Sequence, residues 1–466
     1  MKNILFILSL VLLAACTTNN TVTITGKITN PESDAVVLRV SYNSTVDTIA
    51  TLIDDGTFSA TINTVDERLA YLSNGKSAIR INLKPGTSMH IEFDGNELKT
   101  GNKEKLVVSG EGIESTTLLL ELSKINPIED MRTLLSYPAP KFEEVVTSNA
   151  KAITDKISAY EVAYPDDIAF IEKIKLNEKV MLAQDYEYFT MYHGRLAPQD
   201  TVPIPEAFKT YGDVIPLDQY EVFKEINAYK SFVVNKHMSN IDTKLEKQNL
   251  EPRTVAFTDA KFSAILSLEI PQLVKDELGN RMLGSYTYEK DSIKTILKSR
   301  YKEIITNEKY TSTFEELLTK LEKLQPGSPA PTFAYNDING KLIDSKELKG
   351  KVIYIDVWAT WCGPCKGEIP HLKKLEEELH AEDIAFVSIS VDEDKAAWET
   401  MVAEKELGGY QLFAPSAWES SIVKDYAIRG IPRFIIIDKE GNLVDANASR
   451  PSNIETKSKL VKLAKS

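Results

Sequence analysis

Two of the three cysteines in this 466-residue chain stand three positions apart, in the segment Trp-Cys-Gly-Pro-Cys. Cys362 and Cys365 are separated only by Gly363 and Pro364. Thiols at this spacing can bind a metal ion, attach a haem, form a structural bridge, reduce a peroxide or exchange electrons with other disulfides. The neighbouring sequence helps to choose among these chemistries.

Metal binding, haem attachment and a purely structural bridge are poorly supported. A structural zinc site needs four ligands, and the sequence contains no second Cys/His pair at metal-ligand spacing. Haem attachment requires His directly after the second cysteine, where this chain has Lys366. A bridge between positions 362 and 365 closes a very small loop and constrains little of the unfolded chain. We therefore expect a redox dithiol that uses no metal and no other cofactor.

The dithiol lies between a predicted strand and a predicted helix. Residues 351–358 are mostly apolar, and a helix is predicted over about residues 363–380. Cys362 then sits at a helix N-terminus, where free N–H groups and the macrodipole favour a thiolate. Cys365 can reach back to Cys362 and resolve a mixed disulfide.

The segment VIYIDVWATWCGPCKGEIP resembles the active site of the thioredoxin superfamily. A Pro-rich opening, a short hairpin and Leu-Lys-Gly-Lys precede it, as in exported, membrane-attached thiol–disulfide oxidoreductases of the TlpA/ResA type. The resemblance covers residues 326–466 and implies that Cys362 attacks and Cys365 resolves. The preceding part resembles, more loosely, an N-terminal domain of unknown function on many Bacteroidetes lipoproteins.

The same resemblance implies two acids near the dithiol. Asp356 falls where thioredoxins keep a buried acid, and a carboxyl group in apolar surroundings has a raised pKa and can accept the proton of Cys365. Glu368 falls where the ResA-like branch keeps a functional glutamate, although that branch often has Asn at the first position. Both stay candidates, with Asp356 slightly favoured. Residues 376–378, all Glu, are interpreted as a solvent-exposed helix face.

A surface for the substrate is also implied. Pro432 matches the superfamily's cis-proline, so the backbone of Ile431 can pair with a substrate segment like an added strand. Trp358 and Trp361 are expected to flank the site as apolar contacts. The predicted substrate-binding residues are Trp358, Trp361, Gly363, Pro364, Ile431 and Pro432.

The Gly-Pro pair between the cysteines is typical of reducing enzymes. Strong oxidants commonly carry His there, because its charge or hydrogen bond stabilises the thiolate. We therefore expect a protein-disulfide reductase or exchange enzyme. The resemblance implies a membrane electron donor of the thiol-transfer type and, as clients, disulfide-containing exported proteins such as apocytochrome c.

Two alternatives stay open. Thiol-dependent peroxidases of this superfamily would need Pro at position 355 and Thr or Ser at 359, where this chain has Ile355 and Ala359. Alternatively, residues 21–324 form a client-binding module to which the redox domain is auxiliary.

The N-terminus has the pattern of an export signal. Lys2 precedes an apolar stretch over residues 4–15, which is too short to span a bilayer but typical of a secretory leader. The motif Leu-Ala-Ala-Cys, ending at Cys16, resembles a bacterial lipobox, in which lipid is attached to the cysteine after cleavage. We expect a lipid anchor at Cys16 and a protein that faces the periplasm from a membrane of the cell envelope.

Along the remaining sequence, the residue pattern changes from one typical of strands to one typical of helices and then to an alternation of both. Short β-branched segments separated by turns predict a small antiparallel sandwich or barrel, and a helical region follows in which Ser312 and Glu315 are expected to form a capping box. Prolines around position 329 end the helices, and alternating strands and helices then predict an α/β sheet. The predicted parts are a signal peptide (residues 1–15), an all-β domain (16–112), a helical region (113–325) and a thioredoxin-like α/β domain (326–466).

The charge balance narrows the choice of partners. The formal net charge is −13, and no dense run of Lys or Arg occurs. Nucleic acids and anionic membrane surfaces bind clustered basic side chains, so both are poor candidate partners.

Overall fold

A computed structural model of the protein describes residues 20–40, 45–64, 66–125 and 130–466. Cys16 and the expected leader therefore lie outside the described residues. The chain divides into two compact units, Met1–His237 and Met238–Ser466. None of the helices described is both long enough and apolar enough to cross a bilayer.

The first unit begins with eight strands and a short helix. In chain order they are β1 (Thr21–Thr29), β2 (Ala35–Val40), β3 (Thr45–Thr51), β4 (Thr57–Asn63), β5 (Arg68–Asn74), β6 (Ser77–Leu83), β7 (Ser88–Asp94), α1 (Gly95–Lys99) and β8 (Val107–Glu111). They form two four-stranded sheets with the orders β4-β1-β7-β8 and β3-β2-β5-β6. Buried residues of both sheets, such as Ile24 and Ile81, share one core. Of the two predicted architectures, sandwich or barrel, the sandwich is observed.

Two details of the sandwich differ from the prediction. Strands β1 and β7 pair in parallel, so the unit is not purely antiparallel. Strands β5 and β8 were not predicted from the sequence. The segment Arg-Leu-Ala-Tyr-Leu-Ser-Asn of β5 lacks β-branched residues, and its strand conformation depends on pairing with β2 and β6 on both sides.

Helices follow in the first unit, as expected. They are α2 (Glu114–Lys124), α3 (Met131–Ser136), α4 (Ala139–Ala163), α5 (Ile168–Leu196), α6 (Glu206–Thr210), α7 (Tyr220–Glu225) and α8 (Asn227–Lys247), the last of which contains the division between the units. One core cluster among these helices is rich in aromatic residues, and the rings of Phe142 and Phe189 are centred 4.2 Å apart.

The second unit opens with four more helices, α9 (Val255–Leu266), α10 (Gln272–Leu283), α11 (Asp291–Ile304) and α12 (Glu308–Lys323). The capping box expected at Ser312 is wrong. The side chain of Asn307 caps α12 by accepting a hydrogen bond from the N–H of Lys309 at 3.0 Å. Ser312 lies inside the helix, where its hydroxyl bonds to the Lys309 carbonyl.

The rest of the second unit is the expected α/β domain. Its elements are β9 (Ala334–Asp337), β10 (Leu342–Asp344), β11 (Val352–Trp358), α13 (Gly363–Glu378), β12 (Ile384–Ser390), α14 (Lys395–Glu404), β13 (Tyr410–Phe413), α15 (Ser421–Asp425), β14 (Arg433–Ile437), β15 (Leu443–Asp445) and α16 (Ile454–Lys465). The strands form one sheet in the order β10-β9-β13-β12-β11-β14-β15.

Strand β11 is the strand that leads to the dithiol. It pairs in parallel with β12 and antiparallel with β14, and every residue of β11 and β12 is buried. Alternation along β11 directs Val352 and Tyr354 into a core shared with Leu375 of α13 and Leu460 of α16. Helices covering such an apolar sheet give a rigid support for the loop that follows β11.

Candidate active site

The two cysteines lie where β11 passes into α13. Cys362 is the N-cap residue of α13, and the two sulfurs form a disulfide with a Cα–Cα distance of 5.3 Å. The Sγ atom of Cys362 accepts a hydrogen bond from the backbone N–H of Cys365 at 3.1 Å. In the dithiol state this donor and the helix N-terminus stabilise negative charge on Cys362.

A buried aspartate holds the loop in front of the dithiol. Asp392 accepts hydrogen bonds from the N–H of Thr360 at 2.9 Å and from its hydroxyl at 2.8 Å. The hydroxyl of Ser390 also donates to this carboxylate, at 2.7 Å. Asp392 was missed from the sequence. The clue in the sequence was its position just after β12. Because β11 and β12 are parallel, the residues that follow these two strands lie at the same edge of the sheet.

The two cysteines are buried beneath exposed residues of the first turn of α13. Cys362 and Cys365 are only 4% and 3% exposed, whereas Gly363 and Pro364 are exposed. Trp361 is 58% exposed, and its ring centre lies 6.4 Å from that of Trp418. The dithiol thus lies just beneath a surface with two indole rings, of which Trp418 was not predicted.

Trp358 is not part of this surface, and the expectation that it contacts substrate is corrected. Its side chain is only 2% exposed. It is the last residue of the central strand β11, where both neighbouring strands and the covering helices bury every side chain. Its indole faces a small internal cavity.

The loop with Ile431 and Pro432 lies at the same end of the sheet. The peptide bond between these residues is cis, and both are half-buried. Arg433, the next residue, pairs with Val357 near the end of β11. Because β14 runs antiparallel to β11, its first residues lie beside the last residues of β11, close to the loop that carries the cysteines.

A tyrosine from the helical part of the second unit contacts this loop. The hydroxyl of Tyr288 donates to the carbonyl of Gly430 at 3.0 Å. The guanidinium group of Arg433 lies 4.8 Å from the centre of the Tyr288 ring. No local sequence signal predicts Tyr288, because the contact joins residues far apart in the chain.

Asp356 is a buried acid on the face of β11 that is covered by α13. It is 7% exposed, and its Oδ1 atom has no hydrogen-bond partner among the described residues. Burial raises its pKa to about 8, and the nearby carboxylates of Glu368 and Glu376 add to this increase. A carboxyl group with this pKa can exchange protons near neutral pH.

Glu368 is also buried, but its oxygens are already engaged. Its Oε2 accepts from the N–H of Ser452 at 3.0 Å, and its Oε1 accepts from the hydroxyl of Ser452 at 2.9 Å. The guanidinium group of Arg450 lies 3.7 Å from Oε1. The structure thus brings both predicted acids near one another, and it gives them different surroundings.

Glu376 is half-buried, which corrects its interpretation as a solvent-exposed residue. Burial raises its pKa to about 7, against the opposing effect of Lys373. The sequence carried a weak signal, since Glu376 follows Leu372 by four positions on a helix and so shares its buried face.

Comparison with known proteins places the dithiol loop within a recognised family. Residues 325–463 match the Redoxin family model. The thiol-disulfide oxidoreductase ResA of Bacillus thuringiensis subsp. konkukian is 31% identical over 133 residues, which are 28% of this chain and 74% of that protein. ResA of Bacillus subtilis is 30% identical over 26% of this chain and 67% of that protein. A solved thiol-disulfide oxidoreductase from Bacteroides fragilis is 26% identical over 29% of this chain and 99% of that chain, with a TM-score of 0.27.

Proposed function

The chain belongs to the ResA-like thiol–disulfide oxidoreductases of the thioredoxin superfamily, and we propose that it reduces disulfides of exported proteins through Cys362 and Cys365. One observation carries the proposal. The sulfur of Cys362 caps α13 and accepts the N–H of Cys365, which is the setting that favours an attacking thiolate.

The first step forms a mixed disulfide. The Cys362 thiolate attacks one sulfur of a client disulfide, so that one S–S bond breaks and another forms between Cys362 and the client. The displaced client sulfur leaves as a thiolate and takes a proton from solvent. The number of disulfides is unchanged at this stage, and the one disulfide now joins the client to Cys362.

The second step releases the client. The Cys365 thiol gives its proton to a nearby base, and its thiolate attacks the Sγ atom of Cys362. The Cys362–Cys365 disulfide forms, and the second client sulfur leaves as a thiolate and is protonated. Two electrons have then passed from the dithiol to the client disulfide.

Asp356 is the better supported base for Cys365. Its Oδ1 atom is unpartnered among the described residues, and its raised pKa suits proton exchange near pH 7. Both oxygens of Glu368 accept hydrogen bonds from Ser452, which favours a positioning role for that residue.

The client contacts follow from the exposed surface around the dithiol. Trp361 provides an apolar contact, together with the exposed Gly363 and Pro364. The backbone at Ile431 and Pro432 pairs with an extended client segment in the manner of an added strand. A membrane donor of the thiol-transfer type then returns the enzyme to its dithiol form, and apocytochrome c is one client class. The lipobox-like motif ending at Cys16 supports an envelope location with a lipid anchor.

Cysteine variants of the full chain test the function. We expect the reduced protein to reduce insulin disulfides, the Cys362→Ala variant to be inactive, and Cys365→Ala to accumulate a mixed disulfide at position 362. Hydrogen peroxide is tested in parallel. The proposal fails if the dithiol consumes peroxide much faster than it reduces insulin, or if the mixed disulfide forms at Cys365.

A second candidate function is client binding by the first unit. A cavity of about 490 Å³ in this unit is lined by apolar residues such as Met181 and Val146 and by charged residues such as Asp185 and Arg80. Ala150 also lines it, so Ala150→Trp fills part of the space. If this unit selects clients, the variant loses protein-disulfide turnover and keeps full activity on small disulfides. Equal turnover of both substrates by variant and wild type would exclude this role.

A further inference from the structure

A small internal cavity lies between β11, α13 and the segment before β13. Its volume is about 10 Å³, which is near the space that one water molecule requires. Asp356 and Trp358 line it from β11, Glu376 lines it from α13, and Gly408 and Gln411 line it from the opposite side.

Three polar atoms on residues that line this cavity have no hydrogen-bond partner among the described residues. They are the Oδ1 atom of Asp356, the Nε1 atom of Trp358 and the Oε1 atom of Gln411. All three residues are more than nine-tenths buried. A buried polar atom without a partner is costly, and these atoms comprise one donor and two acceptors. One water molecule can accept from Trp358 and donate to Asp356 and Gln411.

Glu376 lies at the outer side of the same cavity. Its carboxylate is so close to Gly408 that a Cβ atom there would come within 2.6 Å of Oε2. A Cβ atom at Gly409 would come within 3.1 Å of Oε1. Gly409 has a φ of +62°, which by itself favours glycine, whereas no such backbone requirement applies to Gly408. The missing side chain at Gly408 therefore leaves space for the carboxylate.

The charged side chains that line the cavity are Asp356, Glu376 and Lys373. The ammonium group of Lys373 donates to the carbonyl of Lys405 at 2.9 Å. Ser388 of β12 and Gln411 of β13 face the cavity with neutral side chains. Burial raises the pKa of Asp356 to about 8 and that of Glu376 to about 7, so both carboxyl groups can change protonation near neutral pH.

We propose that this cavity binds one water molecule and that Asp356, the water and Glu376 form the path by which protons pass between the dithiol and solvent. The inference deepens the proposed function and rests on it. When Cys365 is deprotonated, Asp356 takes its proton. Once protonated, Asp356 donates to the water instead of accepting from it, so that one water proton becomes free. As the water takes the proton of Asp356, it gives this free proton to the Glu376 carboxylate, and Glu376 releases it to solvent. No electrons move along this path, and Glu376 acts through Asp356 without contacting the sulfurs.

The Glu376→Gln variant tests the path, because it keeps the shape of the side chain and removes its ability to take a proton. The measurement is the rate of mixed-disulfide resolution by the full chain between pH 5 and 9. We expect the resolution rate at its high-pH plateau to fall about 10-fold. This loss is smaller than the full contribution that proton transfer makes to catalysis. The midpoint should also move to lower pH, since the Glu376 carboxylate raises the pKa of Asp356. Glu377→Gln, an exposed neighbour on α13, is the matched control and should behave as the wild type.

Two further measurements keep the test independent of folding. Gly408→Ala leaves every charge in place but pushes the Glu376 carboxylate aside, so it should lower the plateau in the same way. A crystal structure of the wild type should show an ordered water within hydrogen-bond distance of Asp356 and Trp358. The path is refuted if Glu376→Gln keeps the wild-type pH profile, or if the cavity holds no water. Failure of the wild-type protein to reduce insulin would instead refute the proposed function.

Discussion

Asp356 illustrates how a single residue links function to stability. Its carboxyl group is buried on the central strand, and its pKa is raised from 3.8 to about 8. The folded protein therefore binds more protons than the unfolded chain between these values. Stability must fall as the pH rises through this window, since the slope follows the difference in bound protons. The same property that makes Asp356 a useful base makes it a destabilising residue at neutral pH.

The Asp356→Asn variant should therefore be more stable than the wild type at neutral pH and slower in resolving a mixed disulfide. We expect a gain of as much as ~4 kcal/mol in the free energy of unfolding at pH 7, and little gain at pH 4. Urea unfolding at several pH values measures the gain. Asp425→Asn, at an exposed position, should show no such growth with pH. A gain independent of pH would contradict the assigned ionisation.

At the scale of single residues, the sequence motif predicted the two cysteines of the site better than it predicted the side chains around them. The spacing of Cys362 and Cys365 and the match at Pro432 were visible in the sequence. The burial of Trp358 was not predicted and that of Glu376 was only weakly indicated, because both depend on which strands and loops cover them. Tyr288 contacts Gly430 across a long stretch of chain, and no local pattern predicts such a contact. For Asp392 the only clue was its position just after β12.

At the scale of elements, the N-terminus of α13 does most to prepare the dithiol. Cys362 occupies the N-cap position and its sulfur accepts the N–H of Cys365. A cap that satisfies an otherwise free N–H stabilises the helix, so the nucleophile also contributes to the stability of the element that activates it.

Replacing Cys362 by Ser or by Ala separates these two contributions. Neither variant can form the disulfide, and both should be inactive. Because Ser can cap the helix and Ala cannot, we expect Cys362→Ser to be more stable by about 1 kcal/mol in urea unfolding. Cys365 lies inside the helix, where Ala is favoured over Ser, so the order should reverse for Cys365→Ser and Cys365→Ala. Equal stability of the Cys362 pair would show that position 362 does not cap the helix.

Element boundaries were predicted best where the sequence pattern was strongest. The helix expected over about residues 363–380 is observed as Gly363–Glu378. Strand β5 was missed, since its residues have weak strand preference and depend on pairing on both sides. The start of α12 was misplaced because Asn307 offered an earlier cap than Ser312.

At the scale of the whole molecule, the Cys362–Cys365 disulfide lies in the second unit. The Redoxin match covers residues 325–463, and a sandwich and helices precede it. The sequence patterns predicted an all-β part followed by a helical part, but they missed two of the strands. They did not predict a ligand for them, because a cavity is formed by side chains distant in sequence.

The proposed lipid anchor gives a prediction for the whole protein. If lipid is attached at Cys16, the mature protein should fractionate with membranes, and Cys16→Ala should shift it to the soluble fraction. The Cys362→Ala variant is the control, since it also removes one thiol but should leave the anchor intact. Membrane association of Cys16→Ala would argue against the anchor.

The direction of electron flow is the central claim, and the reduction potential of the Cys362–Cys365 pair tests it most directly. Equilibration of the full chain with dithiol buffers of known potential gives this value. The Gly-Pro pair predicts a potential near that of thioredoxin, about −270 mV, which makes the dithiol a reductant of client disulfides. A value near about −120 mV, where strong periplasmic oxidants lie, would contradict the account and make the protein an oxidase.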